Sequence, residues 1–179
     1  MPLYVRSAVE NDLAALKRLD VEAFPTEPYP YFVLRQYFDL CRDHLLVLDD
    51  GHALYGYLIA TPPEAGLSWI LSLGVTLDLR GHGLGRRLMV ESLRQLHSEH
   101  AREVRLSVAH DNDRAVSLYQ HLGFTQTGDV RNDYFGPGED RILMTLDLAD
   151  SAAPAHETPP SAPGARLNAG RTAGPRWSW

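Results

Sequence analysis

The chain has 179 residues, a net charge of −6 and one cysteine, Cys41. A chain near the size of one ordinary domain can bury a core without disulfides or metals, and a lone cysteine excludes an internal disulfide, a thiolate metal cluster and a Cys-x-x-Cys redox pair. The acidic balance argues against a nucleic-acid face, and neither a long apolar run nor a basic lead into a short one is present, so a membrane partner and secretion are not expected and the cytoplasm is.

In chain order, residues 3–8 read as a strand, and Asn11 or Asp12 can cap a helix whose Leu13, Leu16, Leu19 and Ala23 share a face. Pro25, Pro28 and Pro30 break the chain before a second helix over 31–42, where Tyr31, Leu34, Phe38 and Cys41 fall at helical spacing. Strands at 44–49 and 53–61 flank Asp50-Gly51, a pair that suits a type I′ hairpin turn. The nearly all-apolar run 68–75 has the character of a central strand covered on both faces. A glycine-rich loop, a helix over 85–100 and a strand over 104–108 follow. Asn112 can cap a short helix carrying Ala115, Leu118, Tyr119 and Leu122, which Gly123 ends. Two last strands, near 124–130 and 141–148, complete an α/β (α+β) domain with a mixed sheet and packed helices. Residues 1–150 are expected to form this one domain. Residues 151–179, rich in Ala, Pro, Gly and Ser, read as a disordered tail in which Trp177 and Trp179 stand out.

Strand, glycine-rich loop and helix together make an anion site, because glycines let successive N–H groups converge and the helix start adds about half a positive charge. The segment Arg80-Gly81-His82-Gly83-Leu84-Gly85 has neither the Gly-Lys-Ser/Thr of a triphosphate loop nor the Gly-x-Gly-x-x-Gly of a dinucleotide fold. Its Arg-x-x-Gly-x-Gly pattern resembles the acetyl-CoA motif of the GNAT N-acetyltransferases. The likeness extends to Asn112-x-x-Ala115-x-x-Leu118-Tyr119-x-x-x-Gly123-Phe124 and to the order of elements from residue 3 to about 148.

The resemblance implies a single GNAT-like domain, a mostly antiparallel sheet of about seven strands flanked by about four helices. It also implies acetyl-CoA as cosubstrate. Residues 80–86, namely Arg80, Gly81, His82, Gly83, Leu84, Gly85 and Arg86, would hold the pyrophosphate. Leu73, Gly74 and Val75 would pair with the pantetheine, and Asn112 and Ala115 would meet its arm. Tyr119 would stand beside the sulfur, where a phenol can return a proton to the leaving thiol. Each motif also has a plainer reading, as a turn, a helix cap or a core aromatic.

Weaker signals concern the acceptor amine. The segment containing Glu22, Phe24 and Tyr29 resembles the peptide-contacting loop of N-terminal acetyltransferases, and Asn132-Asp133-Tyr134-Phe135-Gly136-Pro137-Gly138-Glu139-Asp140 with Met144 resembles their Tyr-Tyr-x-x-x-Gly-Glu-Asp-x-x-x-Met stretch. The chain thus resembles the ribosomal-protein alanine N-acetyltransferases, which implies a protein or peptide α-amine as acceptor. It departs from them at Ser107, where the family has a Glu or His base, leaving water, a backbone carbonyl or a carboxylate such as Glu22 for that task. A small amine (a polyamine, amino acid or antibiotic) is the alternative acceptor, and a CoA-binding module without catalysis is a third reading. The chain is expected to act as a monomer or homodimer. No metal is expected, since His97 and His100 are three apart, not four as in His-Glu-x-x-His.

Overall fold

The computed structural model describes residues 2–149; the expected tail lies outside the described residues. One seven-stranded sheet runs through the domain in the order β1-β2-β3-β4-β5-β7-β6. Its strands are β1 (Tyr4–Ser7), β2 (Leu45–Asp49), β3 (Leu54–Ala60), β4 (Leu67–Val75), β5 (Glu103–Ala109), β6 (Thr125–Gln126) and β7 (Arg141–Asp147), and its helices are α1 (Leu13–Ala23), α2 (Tyr31–Cys41), α3 (Leu84–Ser98) and α4 (Asp113–His121). Every neighbouring pair is antiparallel except β4 and β5. The architecture is that of a single GNAT-like domain.

The inner strands are apolar on both sides because both sides are covered. Leu45 and Val47 of β2, with Tyr57 and Ile59 of β3, pack under α1 and α2 against Leu13, Leu16, Leu19 and Leu34. Leu46, Leu48, Leu58 and Ile70, with Val104, Leu106 and Val108 of β5, face Leu88, Met89, Leu93 and Leu96 of α3. The side chains of β5 alternate, so Arg105 and Ser107 point to the face that carries α1 and α2.

Several local expectations change. Tyr31 is 52% exposed, so the buried stripe of α2 is narrower than the spacing suggested and rests on Leu34 and Cys41. The β2–β3 loop spans four residues with only Gly51 at positive φ, and the Asp50 carboxylate accepts the N–H groups of His52 and Ala53 at 2.9 Å; this side-chain turn replaces the expected type I′ geometry. Asp12 does not cap α1; its carboxylate accepts Val9 N–H at 2.8 Å and pairs with Arg6 at 2.6 Å, which ties β1 to the helix start. The strand expected over 124–130 shrinks to the two residues of β6, plus an isolated bridge between Arg131 and Arg141.

Gly74 is a glycine for a packing reason. A Cβ there would stand 2.6 Å from the Tyr57 ring and 3.3 Å from the Ala23 Cβ. The ring therefore sits against β4 at Gly74, where Ala23 of α1 also comes close to the strand. Gly74→Ala should overpack this contact and cost about 1–3 kcal/mol, read as a lower midpoint in urea unfolding with an unchanged slope. Wild-type stability would mean that Tyr57 is not seated on the strand.

Candidate active site

The site is built where two parallel strands separate. The β4–β5 ladder ends at Ile70 and Leu106, while β4 continues to Val75 beside β3 and β5 continues to Ala109 beside β7. A bulge in β4 accompanies the parting: Ile59 pairs with Ser72 and Ala60 with Ile70, leaving Leu71 without a partner. As a result Leu71 and Ser72 both turn toward α1 and α2, whereas Leu73 and Val75 turn toward α3. The β5-facing edge of β4 at residues 73–75 is left free of ladder bonds.

The glycine-rich loop crosses one end of this wedge. Gly81 and Gly83 have φ of 83° and 78°, and a Cβ on either would meet no atom within 4 Å, so the space above them is open. Gly83 precedes α3 without a side-chain cap, and the first bond of the helix runs from Arg87 N–H to Gly83 C=O. The N–H groups of residues 81–86 thus make no backbone hydrogen bond among the described residues. Unbonded N–H groups at the start of a 15-residue helix make a cradle that can receive an anion. Gly85 is different, since a Cβ there would make only ordinary contact with Leu118 and Leu73.

Arg80 has another task. Its guanidinium donates to Val75 C=O at 3.1 Å and to Ala23 C=O at 2.9 Å, joining the end of β4 to the end of α1. His82 is exposed, with Nδ1 3.2 Å from Arg80 C=O. Arg86 is exposed at the start of α3.

Helix α4 closes the wedge. The Asn112 Oδ1 accepts Ala115 N–H at 3.1 Å, an N-cap that uses only the carbonyl half of the amide. Gly123, at φ 93°, turns the chain so that Phe124 N–H reaches Tyr119 C=O and its ring meets that of Tyr119 at 5.9 Å. The Tyr119 ring is buried, and its hydroxyl bonds to no described residue. Burial pushes this phenol up to about 12, so it stays protonated at any physiological pH.

On the α1–α2 side, the Tyr29 hydroxyl approaches Leu71 C=O at 3.4 Å, its ring meets Tyr37 edge-on at 5.4 Å, and burial raises its pKa. Phe24 is 37% exposed beside it in sequence. Glu22 does not face the wedge freely: its carboxylate accepts Leu77 N–H at 3.0 Å, in the turn after β4. Ser107 pairs with Leu143 across β5 and β7. Tyr134 stacks on Phe135 at 5.2 Å, Arg131 lies over Tyr134 at 5.7 Å, and Phe135 is 63% exposed. The Phe135 N–H to Glu139 C=O bond and Asp133 Oδ1 accepting Gly138 N–H hold this turn.

Sequence reasoning passed over a buried polar cluster. Asp20 sits on the apolar face of α1, four residues after Leu16, and that misfit was the available signal. Its Oδ1 accepts the Tyr57 hydroxyl at 2.6 Å, its Oδ2 accepts Tyr29 N–H at 2.7 Å, and Tyr57 Oη lies 2.9 Å from Ser72 Oγ.

The family model described as "Acetyltransferase (GNAT) family" matches residues 10–124. The N-alpha-acetyltransferase RimI of Mycobacterium tuberculosis is 29% identical over 157 residues, covering 83% of this chain and 95% of the relative. Among solved structures, Ard1 from Thermoplasma volcanium superposes with a TM-score of 0.76 at 21% identity, covering 84% of this chain and all of that one. A chain of the NatC complex bound to Gag peptide and CoA superposes at 0.73 with 22% identity, covering 83% and 100%. At such identities the two structures attest the fold. The chain belongs to the GNAT acetyltransferase family, and it is an acyltransferase that carries an acetyl group to an amine.

Arg80→Ala should free β4 from α1 and lower stability by about 1.5–3 kcal/mol, the range for hydrogen bonds to a charged group, measured by chemical denaturation. Arg80→Lys should recover only part, because an ammonium lacks the fork that spans both carbonyls. An unchanged unfolding curve for Arg80→Ala would show that the staple is not formed.

Proposed function

We propose that the enzyme transfers the acetyl group of acetyl-CoA to the α-amine of a protein or peptide N-terminus, by direct attack in a ternary complex. The observation that carries this reading is the grouping of three features: the unbonded N–H groups of residues 81–86, the β5-facing edge of β4 at residues 73–75 that carries no ladder bond, and, on the helix whose Leu118 packs near Gly85, the buried ring of Tyr119 with a hydroxyl that bonds to no described residue. The cradle suits a pyrophosphate, the strand edge suits the amides of a pantetheine arm, and the Asn112 Nδ2, unused by the cap, suits a carbonyl along it.

Acetyl-CoA supplies an activated acyl group, and the residues of the chain supply its placement and its protons. A backbone N–H of the 73–75 edge is the donor available to the thioester oxygen as charge grows there. Tyr119 gives its proton to the departing sulfur. Burial raises the phenol, but the same apolar surroundings raise the thiol, so the transfer is less uphill than separate solution values imply. The α-amine is favoured because the M. tuberculosis relative, matched over nearly its whole length, is an N-alpha-acetyltransferase. Tyr29 and Phe24 on one side and Tyr134 on the other are the aromatic groups that would flank an incoming peptide, with Ser107 on the sheet face between them.

Thiol release from acetyl-CoA should occur with peptides bearing a free N-terminus and fail with N-blocked peptides that keep an internal Lys; the reverse pattern would contradict the α-amine assignment. Tyr119→Phe should lower kcat about 10²-fold or more with cofactor affinity nearly unchanged, and undiminished turnover would reduce Tyr119 to a packing residue. Gly83→Asp places bulk and negative charge in the cradle, so acetyl-CoA binding measured by calorimetry should be lost while the fold persists by circular dichroism.

A further inference from the structure

Asp20 and Tyr57 are each 0% exposed, and the carboxylate makes no ion pair with a described residue. A buried carboxylate without a cation is costly, and this one ends a chain of hydroxyls. Tyr57 donates to Asp20 Oδ1 at 2.6 Å, so the 2.9 Å contact between Tyr57 Oη and Ser72 Oγ has Ser72 as its donor. Ser72 is the half-buried member of the chain, and it sits in the β4 bulge two residues beyond the last β4–β5 pair, at the mouth of the wedge. The lone pairs of Ser72 Oγ are then the outward end of a wire whose inward end is a carboxylate. Ser107, by contrast, offers no base.

We propose that Asp20 is the proton acceptor of the transfer, reached from the attacking amine through Ser72 and Tyr57. The inference rests on the transferase reading above. The α-amine enters as an ammonium, one N–H bond breaks and its proton joins Ser72 Oγ, and the freed lone pair bonds to the acetyl carbon; the proton that the nitrogen sheds as the amide forms replaces the one Tyr119 gives to the sulfur. Ser72 passes its own proton to Tyr57 Oη, and Tyr57 passes its own to Asp20 Oδ1. The carboxylate becomes a carboxylic acid, the two hydroxyls end neutral, and the proton returns to water along the same path after product leaves. Burial and the Asp20 hydrogen bond raise the Tyr57 pKa, which keeps it a neutral relay that gains and loses a proton together. The titratable groups around Asp20 are Lys17 on α1, whose Nζ bonds Tyr29 C=O at 2.5 Å, Tyr29 with Tyr37 behind it, and Tyr57 on β3.

Asp20→Asn separates this role from mere support. An Asn can accept Tyr29 N–H with Oδ1 and donate to Tyr57 with Nδ2, Tyr57 then donating to Ser72, so the contacts survive but the proton acceptor is gone. With a free-N-terminus peptide that the wild type acetylates, Asp20→Asn and Tyr57→Phe should each lose about 10²-fold in kcat at pH 7. Acetyl-CoA affinity and peptide KM should stay near wild type. The deficit should shrink to a few-fold near pH 9.5, where an α-amine of pKa about 8 enters uncharged. Wild-type turnover by Asp20→Asn at pH 7, or an equal loss at every pH, would overturn the relay and leave the transferase reading standing. Failure of the wild type on every amine would overturn that reading and the relay with it.

Discussion

Beyond Ile70 and Leu106, β4 and β5 cease to share hydrogen bonds, and the rest of the site depends on that separation. A parallel pair that stayed closed would leave no strand edge for a ligand and no gap for α4. The bulge at Leu71 and Ser72 accompanies the parting, reversing the facing of β4 so that Leu73 and Val75 pack toward α3. Arg80 holds the far end of the strand to α1, and the Tyr57 ring seated on Gly74 packs against the residue just before that end. The wedge is therefore braced from the α1 side and lined from the α3 and α4 side, and the anion cradle lies across its end.

Much of this was readable in the residues because each local rule agreed with the fold. The stripes of α1 and α3, the apolar run of β4, the Asn112 cap and the paired positive-φ glycines at 81 and 83 follow from periodicity and backbone sterics that act over a few residues. The failures share a cause. The β4 bulge is a mismatch of registers between strands, which no single segment displays. Arg80 falls inside the motif read as the pyrophosphate loop, and that motif did not show that its guanidinium also donates to the carbonyls of Val75, at the end of β4, and of Ala23, 57 residues away on α1. The β2–β3 turn was misread because the Asp50 side chain supplies acceptors that the backbone of a type I′ turn would not need. Asp20 was visible as a charge on an apolar face, but its partners lie 9 and 37 residues away.

The two sides of the wedge divide the chemistry. The α3–α4 side is backbone and packing, with N–H groups, a strand edge and one buried phenol, and such a surface suits a cosubstrate whose recognition does not vary. The α1–α2 side carries the side chains, among them Phe24, Tyr29, Ser72 and, across β5, Ser107 and Tyr134. In the proposed reading, acceptor choice belongs to this second surface. Under the proposed relay, the buried carboxylate of Asp20 does the work of the Glu or His base that the resemblance implies at Ser107, at a position where an apolar side chain would cost less.

The claim at the centre of this account is that the unbonded N–H groups of residues 81–86 and the open edge of β4 receive one ligand together. Amide hydrogen exchange followed with and without acetyl-CoA tests it directly. Slowed exchange confined to residues 81–86 and 73–75 is the predicted result. Binding of acetyl-CoA that leaves both segments exchanging at their free rates would contradict it.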